Sequence, residues 1–116
     1  MTVKHIKNVA VETIRAGNGA SRQVLIGPDE GPNFALRRFI MEPNGGIPAH
    51  TNTVEHEQYV LRGRARVGIA DAVHEVGPDS TLYIPAGVPH FYEVIEAPFE
   101  FLCVVPNATD RIEILD

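Results

Sequence analysis

Turn signals punctuate this chain from end to end, and the runs between them are strand-sized. Nine prolines and ten glycines are spread among the 116 residues. Many cluster, as in Gly27-Pro28-Asp29-Glu30-Gly31-Pro32, Pro43-Asn44-Gly45-Gly46, Gly77-Pro78-Asp79 and Pro85-Ala86-Gly87. Proline removes a backbone donor, and glycine or asparagine accepts the left-handed region, so each cluster ends a hydrogen-bonded ladder. Pro85-Ala86-Gly87 also suits a type I turn, with proline second and glycine fourth. Between the turns lie segments with β-branched and aromatic residues at 22–26, 33–41, 55–61, 64–70, 73–76, 82–84, 88–95, 99–105 and 111–115. No apolar stripe repeats at helical spacing. With a weak arm or strand over residues 1–20, this predicts roughly ten short antiparallel strands, the pattern of an all-β sandwich or barrel. One domain is expected: an N-terminal arm at 1–20 and a barrel over 21–116.

Totals narrow the function classes. A net charge of -5 argues against a nucleic-acid binder, which needs a basic stripe. No apolar run approaches the ~20 residues of a membrane-crossing helix. The N-terminus, Met-Thr-Val-Lys-His-Ile-Lys, lacks the apolar centre of a secretory signal. A single cysteine, Cys103, makes no internal disulfide, so a reducing cytoplasm is the expected setting.

Side chains alternate faces along a strand, so His50, Asn52 and His56 share one parity in the stretch 44–63. Imidazole nitrogens suit zinc, copper, iron and nickel, and they bind when neutral. His90 lies far downstream, just past the Pro-Gly turn, with Tyr92 on the same face. Three imidazoles drawn from separate strands into a barrel interior would give a metal site. His5 and His74 fall in an arm and a hairpin and read as solvated. Glu55 and Glu57 have the parity opposite to His56 and are expected to face away.

Residues 44–63 and 77–94 resemble the two motifs of the cupin family. In the first, a glycine turn is followed by His50, by His56 in the carboxylate slot, and by closing Gly63. In the second, Gly77 precedes Pro85-Ala86-Gly87-Val88-Pro89-His90. The likeness is greatest to small one-domain cupins with a four-histidine, manganese-type site. Pro32-Asn33-Phe34 with Arg37, and Phe101-Leu102-Cys103 with Pro106, stand where that group carries similar text. The resemblance implies a double-stranded β-helix, or jelly roll, and homodimers in which the N-terminal arm is the element available for exchange. It also implies a divalent metal (Mn, Fe, Ni or Zn) on His50, His56 and His90, and a reaction of the oxygenase or isomerase type.

Three positions depart from that pattern. Asn44 replaces the first glycine, a mild change because asparagine tolerates the left-handed region. Val94 replaces a closing asparagine. Asn52 replaces the second histidine, and it has three readings: a weak fourth ligand through its carbonyl, a hydrogen-bond partner for metal-bound water, or the mark of a degraded site. Neutral imidazoles would leave a divalent metal its full charge and favour a small anionic substrate such as a keto acid, enolate or catecholate. Arg37 is the candidate anchor for a substrate carboxylate, and Tyr92 a candidate hydroxyl donor. Gln58, Phe39, Phe101 and Cys103 are the expected pocket walls. The alternative is a non-catalytic binding or sensing barrel with a degraded metal site.

Overall fold

A computed structural model describes residues 1–115, and all of its sheet pairings are antiparallel. After a 3-10 turn at Ile6–Asn8 come β1 (Glu12–Thr13), β2 (Asn18–Ile26), β3 (Phe34–Asn52), β4 (His56–Ile69), β5 (Ala72–Val76), β6 (Thr81–Ile84), β7 (His90–Pro106) and β8 (Ile112–Ile114). One eight-stranded sheet runs β1-β2-β3-β7-β4-β5, with β6 added to β4 and β8 to β3. This is the all-β barrel expected from the turn spacing, in the jelly-roll form that the resemblance implies. Among the described residues no helix is long and apolar enough to cross a membrane.

The strands are fewer and longer than the turn signals predict. Expected breaks at 43–46, at 62–63 and between 95 and 99 lie inside β3, β4 and β7. The glycines there bend strands instead of ending them. Register shifts fall between Met41 and Gly46 and around Arg62, with Asn44 (φ 62) and Gly63 (φ 78) at the bends. A bulge adds a residue to one strand and sharpens its twist, which is how a long strand turns a barrel corner. β2 also begins at Asn18, inside the stretch expected as an arm, because Asn18 pairs with Gly46 across the first bend.

Alternation then fills the interior. Ala35, Arg37, Phe39 and Met41 of β3 point inward, as do His56, Gln58 and Val60 of β4 and Phe99, Phe101, Cys103 and Val105 of β7. Glu55 and Glu57 are exposed, as their parity requires. On the opposite face two polar groups, Glu100 and Gln23, are also buried. Glu100 accepts from Arg38 and lies 3.1 Å from Arg62 Nε. Arg38 also donates to Gln23 (2.7 Å), whose amide donates to the carbonyls of Ile6 (2.9 Å) and Val9 (3.0 Å). This network clips the N-terminal turn onto the sheet.

Gly63 shows why the bend needs glycine. A Cβ there would lie 2.2 Å from the Pro98 carbonyl oxygen and 2.6 Å from that of Glu96, whereas one on Gly87, also at φ 78, would meet nothing within 4 Å. Gly87→Ala therefore tests the left-handed backbone alone, at about 1 kcal/mol. Gly63→Ala adds the clash and should cost about 2 kcal/mol or more, lowering Tm by roughly 8 °C. Thermal unfolding of both variants checks this; equal losses would show that the carbonyl approach contributes nothing.

Candidate functional site

Three neighbouring strands each bring one imidazole to the same end of the barrel. His50 lies near the end of β3, while His56 and His90 are the first residues of β4 and β7. His50 and His90 are direct register partners across the β3–β7 ladder. Their ring centroids are 4.1 Å apart, and those of His56 and His90 are 5.7 Å apart. All three side chains are buried.

The sequence around His50 and His90 is built alike. Each closely follows a proline, and each ring turns back on the carbonyl two residues upstream: His50 Nδ1 lies 2.7 Å from Pro48 O, and His90 Nδ1 2.9 Å from Val88 O. A carbonyl only accepts, so both Nδ1 atoms carry the proton and both Nε2 atoms keep a free lone pair. A backbone partner on one ring nitrogen is the usual way a metal-binding histidine is oriented. Burial keeps these rings neutral. It pushes His90 down to about 4 and lowers His50, and in both the backbone bond and Asp110 pull the other way.

His56 is arranged differently. Its Nδ1 faces Arg37 Nη2 at 3.3 Å and Cys103 Sγ at 3.4 Å. A guanidinium has only donors, so His56 Nδ1 must accept and its proton sits on Nε2. Burial first, and then the Arg37 charge, push this histidine down to about 3. Arg37 also donates to Cys103 Sγ (3.5 Å) and lies over the Phe39 ring at 5.0 Å. Its Nε is buried without a partner, and among the described residues it pairs with no carboxylate. A charge taken out of water without a counter-ion is costly, so such a group is normally matched.

These residues surround a cavity of about 440 Å³. Arg37, Phe39, Gln58, Tyr92 and Phe101 line it with the three histidines and Asn52; Cys103 lies beneath that wall, against Arg37 and His56. Phe101 stacks between Phe39 (4.9 Å) and Tyr92 (5.3 Å), giving the wall a flat apolar face. The Tyr92 hydroxyl and the Gln58 amide are bonded to each other (2.8 and 3.0 Å), so the phenol is already engaged; burial raises its pKa well above the ordinary value.

Asn52 and four further residues complete the lining's charge pattern. Asn52 Nδ2 donates to Asp110 Oδ2 at 3.2 Å, and Thr53 N donates to the other oxygen at 3.0 Å. Asp110, Arg15, Arg22 and Glu12 also line the cavity, and none of them carried a sequence signal. They arrive through long-range pairing: β8 lies along β3 with Ile112 opposite Asn52, and β1 lies along β2. With the imidazoles neutral, three guanidiniums (Arg15, Arg22, Arg37) stand against two carboxylates (Glu12, Asp110), leaving one positive charge in excess.

The donor set fits a divalent metal in part. His50 and His90 offer two oriented lone pairs on adjacent strands, which suits a metal. His56 in its present tautomer does not, and among the described residues no group of three or more His, Cys, Asp or Glu side chains could hold a metal ion.

A family model described as cupin domain matches residues 37–105. Among solved structures, the chain is similar to the polyketide cyclase RemF from Streptomyces resistomycificus. The two are 31% identical over 100% of this chain and 87% of that one, with a TM-score of 0.87. It is similar to a cupin 2 domain-containing protein from Halorhodospira halophila at 34% identity, over 84% of this chain and 71% of that one, with a TM-score of 0.78. It shares its fold with oxalate decarboxylase from Bacillus subtilis at 24% identity, over 91% of this chain and 30% of that one, with a TM-score of 0.74. No match is found among curated proteins.

Burial of neutral imidazoles makes stability depend on pH with a definite sign. The unfolded chain takes up protons near pH 6.5, whereas His56 and His90 in the fold resist until about 3 and about 4. Stability is therefore complete above 6.5 and is lost as pH falls. Glu30, held down to about 2 chiefly by Lys4, adds to this only below 4.5. In metal-free protein Tm should fall between pH 6.5 and 4.5, and His90→Asn should flatten the slope. An unchanged slope in that variant would contradict the assignment.

Proposed function

The chain belongs to the cupin family, and from that premise we propose that it is a metal-dependent enzyme acting on a small, planar, anionic molecule inside its barrel. The reaction type this reading favours is isomerisation or cyclisation of an enolisable substrate. The observation that carries it is Arg37: a buried guanidinium with no carboxylate partner among the described residues, on the wall of a cavity that also holds three imidazoles. The missing counter-charge is supplied by the substrate. The stacked face of Phe39, Phe101 and Tyr92 suits a flat ring or conjugated chain. The similarity to a polyketide cyclase supports the same class.

His50 and His90 are the residues that would hold the metal, with His56 as third donor. A divalent metal in such a site acts as a Lewis acid toward a carbonyl or enolate oxygen. The chain's own groups do the rest. Arg37 binds and orients the anion through charge-assisted hydrogen bonds. Gln58 holds the Tyr92 hydroxyl in the wall, and Asn52 with Asp110 fixes the segment that covers the cavity. Imidazoles that stay neutral well below pH 7 are better suited to binding a cation than to storing a proton.

A second reading is favoured by the lack of a three-donor group among the described residues: a barrel that binds an anionic ligand without resident metal. Calorimetry separates the two. The enzyme reading predicts about one equivalent of Zn2+ or Mn2+, weakened by about 100-fold or more in His50→Ala and His90→Ala. It also predicts that Arg37→Ala weakens binding of a planar carboxylate by roughly 10- to 100-fold. Carboxylate binding with no metal uptake at all would establish the second reading instead.

A further inference from the structure

His56 is the one imidazole of the three whose lone pair is turned away from the others. Arg37 Nη2 stands 3.3 Å from its Nδ1, and since arginine has no acceptor, the only tautomer compatible with that contact carries its hydrogen on Nε2. A nitrogen carrying hydrogen has no lone pair to give a metal. The same guanidinium would also place a full positive charge beside the incoming cation. Apart from the Phe39 ring beneath it, Arg37 has few fixed partners there. Among the described residues its hydrogen bonds run through Nη2 alone, to His56 and to the weak acceptor Cys103 Sγ at 3.5 Å, while Nε has no partner. Arg37 and His56 line the same cavity as His50 and His90, so a ligand entering there meets all four.

We propose that Arg37 holds His56 out of the metal-binding set, and that an anionic ligand releases it by taking over Arg37's donors, so that the anion and a divalent cation bind cooperatively. The inference rests on the metal-dependent reading above. On release, the ring hydrogen passes from Nε2 to Nδ1 through solvent, with no change in net charge. Nδ1 then donates to Cys103 Sγ, already 3.4 Å away, and Nε2 becomes the third donor beside His90. The anion's charge also offsets the guanidinium next to the cation. Linkage makes the effect reciprocal: whatever the anion adds to cation affinity, the cation adds to anion affinity.

The test uses Zn2+ as the cation, benzoate as the anion and benzamide as its neutral counterpart. In calorimetry on the full-length protein, benzoate should tighten Zn2+ binding by about five-fold or more, and benzamide should not. Arg37→Met should bind Zn2+ without benzoate at least as tightly as the wild type does with it, and should gain nothing from benzoate. His56→Ala should lose the benzoate effect while Arg37 remains. Nitrogen NMR of labelled histidine needs no variant: benzoate should move the wild-type His56 hydrogen from Nε2 to Nδ1. Zn2+ binding that is indifferent to benzoate, or an Arg37→Met variant that binds no tighter, would overturn the coupling and leave the metal site standing. No Zn2+ binding under any of these conditions would remove the metal site and the coupling with it.

Discussion

Strand β7 has to pair with β3 along one edge and with β4 along the other, and the cavity's geometry follows from that double obligation. Phe34 to Met41 runs opposite 99–106, and beyond the bend Gly46 to His50 runs opposite 90–93. On the other side 57–69 follows the same strand from Val104 back to His90. Because β7 is shared, the parity of one strand fixes the parity of its neighbours. A one-residue slip would turn every inward group outward. His50 and His90 meet because they are opposite each other in that register, and Arg37 meets Cys103 for the same reason.

Two successive arginines of β3 show what this alternation does to charge. Arg38 points to the side where Glu100 is buried; it shares that carboxylate with Arg62 and holds the N-terminal turn through Gln23. Arg37 points the other way, into the barrel, and among the described residues finds an imidazole, a thiol and an aromatic face in place of a carboxylate. The two residues have the same chemistry and adjacent positions. One is satisfied by the protein, and on the reading proposed above the other is matched by the bound anion. A buried unmatched charge lowers stability, and that cost is why its place beside a cavity supports the reading proposed above.

Much of this was legible in the sequence, for a physical reason: strand parity is local. The shared parity of His50, Asn52 and His56 and the outward glutamates at 55 and 57 follow from a period of two. Strand length was not legible, because a glycine that ends a strand and one that bends it look alike. Gly63 is recognised as a bend only by the carbonyls of Glu96 and Pro98 packed against it. Asp110, Arg22 and Glu12 were missed because pairings distant in sequence carry them to the cavity. The tautomer of His56 was hidden too, since it depends on one contact from a residue nineteen positions away.

Asn52 gains a meaning from the same long-range pairing. At the position where the resemblance leads one to expect an imidazole, the amide donates to Asp110 and ties the segment before β8 to the end of β3. That places a carboxylate at one end of the cavity, where its charge acts on His50 and His90, while Arg37 acts on His56 at the other. The interior is therefore polarised along the row of imidazoles. In the proposed function a cation would be drawn toward the Asp110 end, where the two oriented lone pairs lie, and an anion toward the Arg37 end. Replacing a neutral fourth imidazole with an amide that positions a carboxylate thus changes the field across the site as well as the number of ring nitrogens in it. On the reading proposed above, that field suits a cation and an anion bound side by side better than either one alone.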